Sequence, residues 1–307
     1  MKKIFKNEKE YYDDITFISA SMLSAWRLCP HFFQVKYVDR TYIEPERDYF
    51  VFGKAVDTLI TEPETYKDRF ITVERTVNID GIEEIKQELT VVQRDISVRA
   101  AEKKPVKALE NKLESLIEKL SQIEAVKDRD QLTPAVDRDV QECVIELRRQ
   151  PLFKKFGFLE KGTTQEIIAT EIDGFKVKGK IDFLNLERKI LADLKTTANI
   201  EIFNPKMYLS QMAFYQWLVE KQHGIKCQVF IPAVDKKIDN KRSAIYLISD
   251  ALLEAAMIEN MTMLGHLDEQ RKSGFFTPID GIHNNRFACP DYKNCPFALQ
   301  KEVIYVS

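Results

Sequence analysis

Apolar residues recur at helical intervals along the first half of the chain, alternate with polar ones from about residue 164, and return to helical spacing after residue 204. Each change of period predicts a change of element, because helices and strands repeat their side-chain directions differently. In FISASMLSAWRLCPHFFQVKYVDR (17–40), serines suited to an N-cap precede Leu23, Trp26, Cys29 or Pro30, and Phe33. That predicts a short amphipathic helix broken near Pro30. In DYFVFGKAVDTLI (48–60), Phe52, Val56, Leu59 and Ile60 form one helical stripe closed by Glu62-Pro63, with Asp57 set among them. Residues 66–95 predict two strands turning at Asp80-Gly81. From 97 to 126, Leu109, Leu113, Leu116, Leu120 and Ile123 predict a helix with a heptad-like seam. The seam is short for a coiled coil, which favours an arm packed on its own domain over a dimerisation helix. Another helix is expected from Thr133-Pro134 to Arg149, ahead of Pro151.

The middle of the chain reads as sheet. TQEIIATEI (164–172), FKVKGKIDFLNL (175–186) and KILADLKTT (189–197), joined at Asp173-Gly174 and Glu187-Arg188, predict three antiparallel strands. Asn204-Pro205 then opens a helix over Lys206 to Gln222 that stops at Gly224, and CQVFIPAVDK (227–236) is again strand-like. Strands followed by a helix and a further strand, with helices before them, imply an α/β fold with helices packed on a sheet.

Candidate chemistry sits on those strands. Strict alternation sends Lys176, Lys178, Lys180 and Asp182 to one face, and the next strand presents Leu191, Asp193 and Lys195 together. A hairpin makes the strands neighbours, so Asp182, Asp193 and Lys195 can converge. Two carboxylates there suit a hard divalent cation, and a lysine beside them can orient or deprotonate a water. An isolated Asp-x-Lys on a strand is more often a solvated pair. Glu166 on the preceding strand, Asp57 on its apolar helix, and Tyr208, Gln211 and Tyr215 on one helix face shift the balance towards a site. Tyrosines on a helix are commonly core residues, but a glutamine in the same stripe is odd for packing alone.

Composition narrows the class. The chain has 307 residues, and 46 basic minus 48 acidic residues leaves a net charge of −2. A strongly basic coat or an acidic tail is excluded, whereas a local basic groove for nucleic acid is not. No stretch approaches the length and apolarity of a membrane span, and MKKIFKNEKEYYDD lacks the apolar run of a secretion signal. A cytoplasmic protein is therefore expected, with its five cysteines reduced or bound to metal.

The ordered set Glu166, GKIDFL with Asp182, ADLKTT with Asp193 and Lys195, and QMAFY with Gln211 and Tyr215 resembles the PD-(D/E)XK nuclease superfamily. Within it the chain is similar to the RecB-like branch, and most closely to the exodeoxyribonuclease VIII (RecE-type) domains of phages and prophages. ISASMLSAWRLCPHFF, FVFGKAVDTLITEP and LTPAVDRDVQECVIELRRQPLF extend the likeness over most of the chain.

The resemblance implies a restriction-endonuclease-like α/β core, a mixed central sheet flanked by helices, with N-terminal helices and a helical insertion. It divides the chain into an N-terminal helical segment (1–65), an insertion with strands and a helical arm (66–158), the nuclease core (159–250), and a C-terminal helix with a cysteine-containing tail (251–307). It makes Asp182 and Asp193 metal carboxylates, Lys195 the catalytic lysine, Glu166 the acid of the first core motif, and Gln211, Tyr215 and Tyr208 supports near DNA. Mg²⁺ is the expected cofactor, with Mn²⁺ able to substitute. DNA is the expected partner, with a single-strand annealing protein beside it, an oligomer allowed and no membrane. The implied activity is a phosphodiester-hydrolysing exonuclease of phage or prophage recombination. Two alternatives stay open: a single-strand, CRISPR- or repair-type nuclease of the same branch, or a catalytically silent DNA-binding subunit.

Two positions depart from the family pattern. Asp57 stands where a histidine metal ligand is usual, and aspartate can also hold Mg²⁺. Cys29, Cys289 and Cys295 match three ligands of an iron–sulfur cluster, but Arg286 occupies the fourth place. A cluster normally needs four thiolates, so reduced cysteines are expected, ahead of a cluster or a zinc site completed by His31 or His283.

Overall fold

The computed structural model describes residues 3–43, 48–160, 162–236 and 241–276, and its chain divides into two compact units. One comprises residues 48–144; the other is formed by the flanking segments.

The flanking unit opens with α1 (Glu8–Asp13), α2 (Ala20–Leu28) and α3 (Pro30–Phe33). Ser19 caps α2 by accepting from Met22 N–H, and Cys29 is extended backbone ahead of Pro30, so the expected break falls at the proline.

Residues 48–144 hold α4 (Asp48–Thr61), α5 (Tyr66–Arg69), β1 (Phe70–Thr72), α6 (Ile82–Ala101), α7 (Lys107–Val126), β2 (Asp130–Leu132) and most of α8 (Pro134–Arg149). Strands β1 and β2 pair in parallel. The hairpin expected at Asp80-Gly81 is absent: left-handed Gly81 is the N-cap of α6, whose first turn carries Glu83 and Glu84. Acidic residues in a first turn favour a helix start over a strand. The single helix expected from 97 to 126 is two packed helices parted around Pro105, which cannot continue α6. α6 and α7 pack on each other, and Val92, Leu116 and Ile123 are buried.

After α8 and α9 (Pro151–Phe156), the flanking unit builds its sheet from β3 (Thr163–Ile172), β4 (Phe175–Asn185), β5 (Ile190–Ala192), β6 (Lys195–Thr197), β7 (Gln228–Asp235) and β8 (Ser243–Ile248). The first three strands are antiparallel neighbours, as their alternation predicts. β5 and β6 both pair with β7 in parallel, and β8 lies antiparallel on the other edge of β7. Ala192 faces Phe230 and Lys195 faces Ala233, so one register runs through β5 and β6. The two are halves of one lane, interrupted at Asp193-Leu194.

The partner of that interruption is Pro232, a proline in a central strand. Proline has no N–H to give the parallel ladder at that step, so pairing lapses where Asp193 sits.

Helix α10 (Leu209–His223) lies over this sheet with α2 and α11 (Asp250–Ser273), enclosing a core that includes Leu23, Trp26, Val177, Ile181, Leu191, Phe214, Leu218, Val229 and Ile231. Trp26 Nε1 donates to Gln270 at 2.8 Å, and Asn260 Nδ2 donates to the Ser210 carbonyl at 2.8 Å, joining α11 to its neighbours. Gly179 lets α10 approach β4: a Cβ there would stand 2.8 Å from Leu218 and 3.1 Å from Tyr215. Phe153, Phe156, Phe158, Phe183 and Phe230 form a second, aromatic cluster.

Strict alternation fails at one point on β4. Ile181 and Leu184 both join the core with α10, while Phe183 turns into the aromatic cluster. The pattern therefore slips by one step beside Asp182. Lys178 and Lys180, expected on one face with Asp182, are engaged with the N-terminal segment instead. Lys178 is buried, with Nζ donating to the carbonyls of Tyr11 and, at 2.6 Å, Asp14; Lys180 pairs with Glu8. These lysines anchor the N-terminal segment on β4.

Burial pulls the Lys178 pKa down to about 8 from an ordinary value of 10.5. Between those two values the unfolded chain binds more protons than the folded one, so the lysine's contribution to stability grows as pH rises through that window. Urea unfolding should show Lys178→Met less stable than wild type by about 1–3 kcal/mol at neutral pH, because two carbonyls lose their donor. The gap should widen by pH 9.5; a pH-independent gap would refute the shifted titration.

Candidate active site

The interruption of the β5–β6 lane organises the site. Asp193 N–H still donates to Phe230 O at 3.1 Å, but Leu194 N–H is released from strand pairing and donates to Asp182 Oδ2 at 2.8 Å. The break thus links β4 to the Asp193–Lys195 step through a backbone amide. On β3, Gln165 lies between the paired residues Thr164 and Glu166 and reaches Asp182 Oδ1 with Nε2 at 3.4 Å. Gln165 has φ of 54°, a conformation uncommon for a residue with a side chain. Its neighbours Thr164 and Glu166 pair with Phe183 and Ile181, so the strain sits where the alternation slips.

Asp193 is only 2% exposed, and such a carboxylate needs compensation. Lys195 Nζ forms an ion pair with its Oδ2, and Gln211 Nε2 donates to its Oδ1 at 3.0 Å. Gln211 and Tyr215 are one helical turn apart on α10, with Gln211 Nε2 3.1 Å from the Tyr215 hydroxyl. Tyr208, at the start of α10, places its ring 4.9 Å from the Lys195 ammonium. The Tyr208, Gln211 and Tyr215 stripe therefore meets Asp193 and Lys195 directly.

Burial lowers the Lys195 pKa, but the charges of Asp193 and Asp182 and the hydrogen bond to Asp193 outweigh it and raise the value above the ordinary range. The side chain is an ammonium at neutral pH. Burial, reinforced by the charge of Asp193, holds the Tyr215 hydroxyl well above its ordinary pKa. Tyr215 remains a neutral hydroxyl beside Gln211.

The other expected residues fall in different places. Glu166 follows Gln165 on β3 and is paired in register with Ile181. Asp57 lies on α4, among residues 48–144, part-buried beside buried Val56 and Ile60. Cys29 is buried between α2 and α3, whereas Cys289 and Cys295, with Arg286 and His283, lie outside the described residues. Among the described residues, no three His, Cys, Asp or Glu side chains are gathered as a metal-binding group. Gln165 and Pro232 escaped sequence reasoning; the proline inside a strand-like run was the available signal for an interruption.

The donor set fits a small hard cation. Asp182 and Asp193 carry two negative charges against the single positive charge of Lys195, and their ligand atoms are oxygens. Mg²⁺ commonly takes one or two carboxylates and fills its remaining positions with water and substrate phosphate.

A sheet lane broken at an Asp-x-Lys step, with a second aspartate on the adjoining strand and a helix laid over both, is the architecture of the PD-(D/E)XK nucleases, and fold and site place the chain in that class. More particularly, the chain belongs to the family described as PDDEXK-like domain of unknown function (DUF3799), whose model matches residues 19–278. Among solved structures it is similar to a "putative exonuclease" from Eubacterium rectale, at 15% identity and a TM-score of 0.58, covering 99% of this chain and 96% of that one. At that identity the likeness concerns the fold alone. The structure of SSO0001 matches at 14% identity over 81% of this chain and 95% of that one, with a TM-score of 0.29 that carries no argument. Comparison with curated proteins returns no match. Among the described residues, no helix is long and apolar enough to cross a membrane.

Thermal melting with added cation tests the site without relying on turnover. Mg²⁺ or Mn²⁺ at a hundred times its Kd should stabilise the wild type by about 2.7 kcal/mol. Asp182→Asn and Asp193→Asn should each lose most of that gain. Equal stabilisation of the wild type and both variants would place the cation elsewhere.

Proposed function

We propose that the protein is a divalent-metal-dependent DNA exonuclease, hydrolysing phosphodiester bonds from DNA ends in the manner of RecE-type phage and prophage nucleases. The observation that carries this reading is the convergence of Asp182, Asp193 and Lys195 at one break in the sheet. A bound divalent cation supplies Lewis acidity towards the scissile phosphate and lowers the pKa of water. The chain's own residues do the rest. Asp182 and Asp193 provide the anionic oxygens that would hold the cation. Lys195, kept as an ammonium, offers hydrogen-bond donors to an attacking water or a phosphate oxygen and counters charge that builds there. Gln211, braced by Tyr215, fixes the Asp193 carboxylate. Glu166 is read as a further acid of the site, and Asp57 as a carboxylate ligand replacing the family's usual histidine, both on their motif positions alone. A single-strand annealing protein is the partner such nucleases keep.

Purified protein with Mg²⁺ should consume linear DNA and spare covalently closed circles, and EDTA should stop the reaction. Asp193→Ala and Lys195→Ala should each lower cleavage by about a thousandfold or more, since each removes charge stabilisation at the reacting phosphate. Circular dichroism would confirm that both variants remain folded. Undiminished cleavage by either folded variant would sink the nuclease reading, and efficient nicking of closed circles would replace exonuclease with endonuclease. Asp57→Ala should weaken the Mg²⁺ dependence, whereas Asp57→His should retain activity with a shift towards Mn²⁺, because imidazole is a softer donor.

A further inference from the structure

The segment between β6 and α10 presents an apolar lip beside Lys195. Ile202 and Met207, on the loop leading out of the charged site, are each 78% exposed. Between them the Phe203 ring stacks on Tyr208, centroids 5.8 Å apart and planes at 21°, and also meets Tyr246 of β8 at 5.3 Å. Tyr208 is the ring that faces the Lys195 ammonium. A run of part-exposed rings therefore leads from the reacting centre to the rim of the sheet, flanked by two exposed aliphatic side chains.

The lip is held rigidly. Asn199 caps the turn Ile200–Ile202 by accepting from Glu201 N–H at 3.1 Å, and Asn204 caps Pro205–Tyr208 by accepting from Lys206 N–H at 3.1 Å. Arg242 ties the loop to the end of β7, with Nη1 donating to Glu201 at 2.7 Å and its N–H to buried Asp235 at 3.0 Å. A loop so braced pays little ordering entropy when something lies against it.

We propose that this lip grips the bases of an unpaired DNA strand whose backbone runs past Lys195, making a DNA end with a single-stranded overhang the preferred substrate over a blunt duplex. This rests on the nuclease reading and adds the form of DNA taken. A duplex hides its base faces within the stack and turns phosphates outwards, so the exposed aliphatic pair, backed by part-buried rings, finds apolar partners only on an unpaired strand. The neighbouring charge suits the same occupant: Lys195 lies at one end of the ring series, and exposed Lys206 lies on the lip itself.

The test measures binding in EDTA, where cleavage is silent, and cleavage separately with Mg²⁺. Three fluorescent probes are used: a duplex with a short overhang, the same duplex with abasic overhang nucleotides, and a blunt duplex. Wild type should bind the base-bearing overhang about tenfold more tightly than the abasic one, because base stacking is lost in the latter. Ile202→Ser combined with Met207→Ser should erase most of that difference; both residues are surface-exposed, and an unchanged melting temperature would exclude misfolding. Wild type that cleaves DNA without distinguishing the probes, or a double variant that keeps the full base preference, would overturn the lip and leave the nuclease reading standing. Wild type that cleaves no DNA with Mg²⁺ would instead fail the nuclease reading, and the lip with it.

Discussion

The arrangement depends on keeping an aspartate charged where almost no water reaches. Asp193 is buried, and an uncompensated carboxylate in such a place costs several kcal/mol in practice. Lys195 supplies countercharge from the same strand, two residues on, and Gln211 supplies a hydrogen bond from the helix above. Pro232 withholds one backbone donor, the lane opens for two residues, and Leu194 N–H turns to Asp182. Asp193 N–H faces β7, so Leu194 N–H faces β4, and its bond to Asp182 ties the second carboxylate to the site.

Helix α10 carries much of the positioning. Gly179 allows it to lie close on β4, which sets Tyr215 against the sheet and Gln211 against Asp193. Its polar residues do not form a solvent face. Ser210 and Gln216 are also engaged, Ser210 with Asn260 of α11, and Gln216 with the Cys227 carbonyl at 2.8 Å and Asp250 at 3.3 Å. Ser210, Gln211 and Gln216 are thus held by hydrogen bonds, and preorganisation of this kind distinguishes a site from a chance cluster of charges.

Much of this was legible in the sequence, for definite reasons. Period-two alternation of residue type marks β3 and β4, β5 is short and buried throughout, and the tight turns between them carry Asp173-Gly174 and Glu187-Arg188. The stripe of Tyr208, Gln211 and Tyr215 was readable because helix geometry alone puts those positions on one side. What was not legible lay where local geometry departs from a regular repeat. The slip at Asp182, with strained Gln165 beside it, misassigned Lys178 and Lys180, which hold the N-terminal segment. Asp80-Gly81 suits either a hairpin or a left-handed helix cap, and only the glutamates that follow favour the cap. The heptad-like seam from Leu109 to Ile123 lies wholly in α7, and Pro105 just before it was the available signal that residues 97–101 end a separate helix.

The lysine has a second consequence for the chemistry. Lys195 occupies an oxygen of Asp193 that a cation would also seek, so the two positive groups compete for one buried carboxylate. Asp182 adds a second carboxylate from the adjoining strand, one oxygen accepting from Leu194 N–H at 2.8 Å and the other from Gln165 Nε2 at 3.4 Å. Lys195 holds its place 4.9 Å from the centre of the Tyr208 ring while it pairs with Asp193. A glutamine or methionine at 195 would lack the charge that stabilises Asp193 before a cation arrives. An arginine would carry that charge on a wide planar fork poorly matched to the space above a tyrosine ring beside two carboxylates. The compact ammonium satisfies both demands, which gives a physical reason for lysine at this step of the broken strand.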